Sequence, residues 1–140
     1  MKTTKLIYEG IVLAKKNRHI ITKSGCVIPD SKARANEKDI INQIASQLDW
    51  HDTLKDQTER MLEARKYGYE FSIDFKIWAG NDIRRDLDNQ VSTLLDAIVK
   101  AGALPDDSTK FLKKISVEHC GLDRIHPRVE ILIKRMESGE

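Results

Sequence analysis

The stretch from Tyr69 to Ile98 constrains this chain most, because its hydrophobic period changes once and abruptly. From Tyr69 to Trp78, Tyr69, Phe71, Ile73, Phe75 and Ile77 alternate with Glu70, Ser72, Asp74, Lys76 and Trp78. That two-residue period belongs to a strand with one buried face. Ala79-Gly80-Asn81-Asp82 breaks it. Leu87, Val91, Leu94 and Ile98 then recur at helical spacing, Leu95 and Val99 widen the stripe, and Gly102 suits a C-terminal cap. The strand's apolar face is expected to pack on this central helix.

Carboxylates flank the helix. Asp86 and Asp88 stand at its start, behind Arg84 and Arg85, and Asp106-Asp107 follow its end. Crowded carboxylates repel and bind protons unless a cation screens them. A hard ion such as Mg²⁺ takes oxygen ligands, often one or two carboxylates plus substrate phosphate. Asp86 and Asp88 fit that role, with Asp107 as a third ligand and the two arginines facing the phosphate. Each acid also has an ordinary structural reading. Asp86 suits an N-cap, Asp88 suits the helix dipole, and Asp106-Asp107 after Pro105 suits a turn.

The stretch Arg85-Asp86-Leu87-Asp88-Asn89, then Leu94-Leu95-Asp96-Ala97-Ile98, Lys100-Ala101-Gly102 and Asp106-Asp107, resembles the RusA family of Holliday-junction resolvases. The similarity is strong from Arg84 to Asp107 and weaker elsewhere. It implies a small, Mg²⁺-dependent (or Mn²⁺-dependent) homodimeric endodeoxyribonuclease that cuts four-way DNA junctions, of a kind often carried by phages and prophages. The family's catalytic aspartates fall on Asp86, Asp88 and Asp107. Its functional lysine, four residues after the second aspartate, is replaced by Ser92. That departure leaves room for a junction-binding protein with weak or no cleavage. Lys76, on the polar side of the long strand, is the candidate replacement cation.

The remainder of the chain reads as elements around this unit. Leu6 to Leu13 reads as a strand, running into Lys15-Lys16-Asn17-Arg18-His19. This basic run suits a solvated edge or DNA phosphates, and Asn17-Arg18 is similar to a basic loop of RusA-like proteins. Lys16, Asn17 and Arg18, with Arg84 and Arg85, are therefore the expected DNA contacts. His19 to Thr22 and Cys26 to Ile28 flank Lys23-Ser24-Gly25 as a hairpin. A helix starting near Asp30 or Ser31 carries Ile40, Ile41, Ile44 and Leu48. Asp49 to Lys66 reads as an insertion in which Leu54, Met61 and Leu62 allow a short helix with a thin apolar face. Trp50 reads better as the anchor of a helix end than as a stacking platform for a base. Leu112 to His119 and Arg128 to Lys134 read as the last strands. His119, Cys120 and His126 lack the spacing of a structural zinc site.

The bounds agree with a small intracellular protein. At 140 residues one domain is expected, long enough to bury a core. The net charge of +2 leaves nucleic-acid binding to local clusters of Lys and Arg. Cys26 and Cys120 are far apart and read as buried thiols in a reducing compartment. No apolar run reaches the length of a membrane span, and no secretory signal is visible, so a cytoplasmic protein is expected. The expected fold is α+β: a mixed or antiparallel sheet of about five strands with two main helices on one face.

Geometry adds one expectation about the metal site. Asp88 to Gly102 as helix spans roughly 21 Å at about 1.5 Å per residue. The steps from Gly102 to Asp107 cover at most about 17 Å, and Pro105 opposes full extension. Asp107 thus struggles to return to its own Asp86 and Asp88. A two-fold dimer with Asp107 supplied from the other copy removes the conflict.

Overall fold

The computed structural model describes residues 1–14, 19–21, 23–25, 27–29 and 31–138. Strand β1 (Lys2–Glu9) is followed by β2 (His19–Ile21), β3 (Val27–Pro29), α1 (Ser31–Gln47), α2 (Trp50–Leu54) and α3 (Gln57–Tyr67). Then come β4 (Glu70–Ala79), α4 (Leu87–Ala101), β5 (Leu112–Leu122) and β6 (Arg128–Met136). One mixed sheet has the order β1-β6-β4-β5, and β2 and β3 form a separate antiparallel ribbon. The fold is α+β, as expected, with four strands in the main sheet rather than about five. Within that sheet β4 and β5 are parallel, because α4 carries the chain back across the sheet between them.

The two periods become the two sides of one core. Phe71, Ile73, Phe75 and Ile77 of β4 join Leu6 and Tyr8 of β1 and Val129, Ile131 and Ile133 of β6. Ile40 and Ile44 of α1 and Leu94 and Ile98 of α4, none of them measurably exposed, pack against this face. Full burial of such a side chain is worth about 1.5–3 kcal/mol as an upper estimate. Both long helices therefore lie on one side of the sheet. The other side presents Lys5, Ile7, Asp74, Lys76, Ser116, Glu118, Glu130 and Leu132 around an open trough.

The first strand starts and stops earlier than its sequence suggests. Gly10 has φ +143° and its N–H turns to the Pro127 carbonyl, 2.9 Å away. A Cβ at Gly10 would sit 2.7 Å from the Tyr8 hydroxyl, so glycine is required at this exit. Val12 stays buried beyond the strand's end. The Tyr8 hydroxyl donates to Ile11 O at 3.1 Å and accepts from Asn36 Nδ2 at 3.0 Å. Burial first, and then the Asp39 charge, push its pKa up to about 12.

Helix α1 also closes the sheet's β1 edge. Gln47 accepts from Ile7 N at 2.9 Å and donates to Ile7 O at 2.7 Å. Gln43 does the same for Glu9, at 2.8 and 3.1 Å. The two amides stand where a further strand's backbone would, and a satisfied edge resists pairing with another chain.

The 49–66 stretch holds two helices rather than one. Asp49 caps α2 through His51 N at 3.0 Å, and Asp56 caps α3 through Glu59 N at 2.8 Å. Leu54 of α2 is exposed, and so is Leu62 of α3, which buries Ala64 and little else. Arg60 of α3 donates to the Val99 carbonyl at 3.2 Å and fastens α3 to the end of α4. The side chain of Trp50, Cys26 and Asp30 lie outside the described residues, and Cys120 is half-buried rather than buried.

Candidate metal and DNA site

Strand β4 delivers the chain to the site. After Ala79, Asn81 organises the loop: its Oδ1 accepts from Ile83 N at 3.2 Å and from the Arg85 guanidinium at 2.7 Å. Arg85 is therefore held against the loop, while the Arg84 side chain is 94% exposed. Helix α4 starts at Leu87, with Asp86 in the N-cap position at φ −83°, ψ 135°. That is cap geometry, yet the Asp86 side chain makes no cap hydrogen bond. Arg84 Nε stands 4.0 Å from its Oδ1. Asp88 lies in the first turn of the helix and is exposed. Two exposed carboxylates, two residues apart and free of capping work, are a donor set of the kind Mg²⁺ accepts while keeping several waters.

Asp107 is at the other end of the unit. Gly102 closes α4 in the left-handed region, φ 101°, and the chain turns through Asp106 and Asp107 into β5. Phe111 O accepts from Phe71 N at 2.7 Å, so this turn abuts the start of β4. Asp86 follows the end of β4. The eight steps from Phe71 to Ala79 cover about 26 Å at about 3.3 Å per residue. Among the described residues, no three His, Cys, Asp or Glu side chains gather closely enough to hold a metal ion. Asp86 and Asp88 therefore follow the end of β4, and the turn that holds Asp107 abuts its start.

The remaining predicted residues divide. Lys16, Asn17 and Arg18 lie outside the described residues. On the chain leading to them, the Leu13 N–H donates to Asn36 Oδ1 at 2.9 Å. Gly10, Ile11 and Val12 border the same cleft as Arg84 and Arg85, so the exit toward the basic run and the arginine pair share one end of the molecule. Lys76 is exposed on the open face of the sheet, paired in register with Glu130 and Glu118. That face is the one turned away from α4. Ser92 is half-buried one helical turn beyond Asp88, on the same side of α4.

Two residues at this end were not singled out from the sequence. Asn81 read only as part of a strand break. Gln90 falls on the apolar stripe, between Leu87 and Leu94, and is 5% exposed. A polar residue inside an apolar stripe was the available signal.

An α+β scaffold that exposes paired carboxylates beside arginines suits a class of protein that works on phosphodiesters, and family comparison puts the chain among the endodeoxyribonucleases. The family model described as endodeoxyribonuclease RusA matches residues 9–134. The chain belongs to the RusA family. No curated protein matches it. Among the described residues no helix is long and apolar enough to cross a membrane.

Proposed function

We propose that this protein is a Mg²⁺-dependent, structure-specific endodeoxyribonuclease that resolves four-way DNA junctions in recombination and repair, acting as a homodimer in the cytoplasm. The observation that carries this reading is the Asp86 carboxylate, placed at a helix start and left uncommitted there, with Asp88 beside it. Asp86 and Asp88 of one copy and Asp107 of the other would hold the ion, with Mn²⁺ as a substitute. Bound there, the metal supplies Lewis-acid charge and a water of lowered pKa. Arg84, with its side chain in solvent, meets a backbone phosphate. Arg85, pinned by Asn81, presents a fixed charge to the same strand. Asn17, Arg18 and Lys16 position the duplex arms, since phosphate contacts set register without reading sequence.

The separation of Asp107 from the other two acids supports a site shared between copies. A junction offers two symmetric strands to cut, and a two-fold dimer offers two equivalent sites. The direct test is incubation with a four-way junction and with linear duplex, with and without Mg²⁺. The reading expects nicks in the junction alone, and only with metal.

A second reading is a protein that binds junctions and cleaves weakly or not at all. Ser92 favours it, because a hydroxyl stands where relatives are expected to carry a lysine. Lys76, the expected replacement, stands across the sheet from α4 in the same chain. Metal-independent junction binding without nicking would select this reading.

A further inference from the structure

Beneath the Arg84–Asp88 segment lies a cleft of about 460 Å³, within the roughly 300–1,000 Å³ range of small-ligand sites. Trp78, Ile83, Leu87 and Leu122 give it apolar walls. Ile83 is 63% exposed and Leu122 49%, so this apolar surface stands in solvent beside charged residues. Gln90 also lines the cleft and is only 5% exposed. Its side-chain amide bonds none of the described residues, and its polar atoms are not sealed off from the open space. The amide therefore opens into the cleft with its hydrogen-bonding capacity unspent. Water in the cleft can satisfy it, and so can a ligand whose polar edge matches the amide.

An occupant must have apolar faces, a polar edge offering both donor and acceptor, and an attached negative charge for Arg84. An unpaired nucleobase on its phosphate has all three. A glutamine amide has an acceptor and two donors, and it pairs bidentately with base edges. Taking a base out of its stack costs least where pairing is already lost. We propose that this cleft receives one unpaired DNA base from the nucleotide beside the cleaved phosphate. Ile83 and Leu122 cover its faces, and Gln90 bonds its edge. The proposal rests on the nuclease reading above and adds a specificity subsite to it.

The test is a coupling measurement between protein and base. Four-way junctions carry an abasic residue at each nucleotide flanking the cut in turn, and initial cleavage rates are compared for wild type, Gln90→Leu and Ile83→Ala. One abasic position should slow the wild type by about tenfold, the size of one lost base-stacking contact. Gln90→Leu should slow cleavage of the intact junction to a similar degree. Both removals together should cost little more than either alone. Ile83 is exposed, so Ile83→Ala keeps the core and must show the same coupling if Gln90→Leu fails to fold. Penalties that multiply, or no sensitive abasic position, overturn the proposal. If wild type cuts no junction with Mg²⁺ or Mn²⁺, the nuclease reading fails, and the cleft is tested by binding in metal-free buffer. 2-Aminopurine at one junction position should then change emission on binding wild type and not on binding Ile83→Ala. Unchanged emission at every position overturns the cleft proposal as well.

Discussion

Asp56 and Asp86 occupy the same position at the start of two helices in this chain, and they are used differently. Asp56 has φ −76° and ψ 172° and accepts from Glu59 N. Asp86 has φ −83° and ψ 135° and accepts from no backbone N–H in its helix. A side-chain cap is worth about 0.5–2 kcal/mol, so α4 forgoes what α3 collects. Burial explains why it can. Helix α4 buries Gln90, Thr93, Leu94, Leu95, Ala97, Ile98 and Ala101, whereas α3 buries Ala64 alone. A helix stabilised by packing can leave a terminal carboxylate uncommitted, and a thinly packed one depends on its cap. The same residue type is structural where stability is scarce and available for chemistry where it is not.

The largest effect should separate the two acids outright. Asp86→Asn, Asp88→Asn and Asp107→Asn should each reduce junction cleavage by at least about 10²–10³-fold, the usual cost of losing one preorganised electrostatic group. Junction binding should hold or tighten, because phosphate contacts do not lose by shedding a negative charge. Asp56→Asn should cut at close to the wild-type rate. Near-normal cleavage by any of the first three would return that residue to a capping or turn role.

A smaller effect concerns charge beside the uncommitted pair. Ser92 faces the same side of α4 as Asp88, so Ser92→Lys should raise cleavage by about tenfold through added positive charge. Initial rates under single-turnover conditions decide it. No gain, together with slower cleavage by Lys76→Ala, would assign the cation to Lys76 acting from the open face of the sheet.

The smallest effect is on stability, and it runs the other way. Asp56→Ala should lower unfolding free energy by about 1 kcal/mol, while Asp86→Ala should lower it by less than about half of that. Urea denaturation of the metal-free proteins measures both. Equal losses would mean that Asp86 caps α4 in solution, and the contrast between the helices would be gone.

Much of the fold was legible because its two periods are clean. Strand β4 stands within a residue of Tyr69–Trp78, and helix α4 runs from Leu87 to Ala101, ending at the expected Gly102 cap. The first strand was misplaced because Leu6, Ile7, Ile11, Val12 and Leu13 read as one apolar run. The break at Gly10 depends on a tertiary bond to Pro127 that no local pattern reveals. The insertion's second helix was hidden because caps at Asp49 and Asp56, rather than an apolar stripe, define it. At the site, the acids and arginines were visible as a motif. Whether Asp86 caps its helix was not visible, since that depends on side-chain geometry. Gln90 escaped notice because its meaning comes from the cleft around it, and the cleft is assembled from stretches distant in sequence.

Helix α4 separates Asp86 and Asp88 from Asp107 by its own length, so the shared site is the claim most open to direct attack. Asp88→Asn and Asp107→Asn proteins, each inactive alone, are mixed under conditions that exchange subunits, and junction nicking is measured against mock-mixed controls. If sites are shared, each mixed dimer has one intact site and one doubly damaged site, and Mg²⁺-dependent nicking returns. If every mixed dimer stays inactive while subunit exchange is verified, the site lies within one chain, and the arrangement proposed for these acids is wrong.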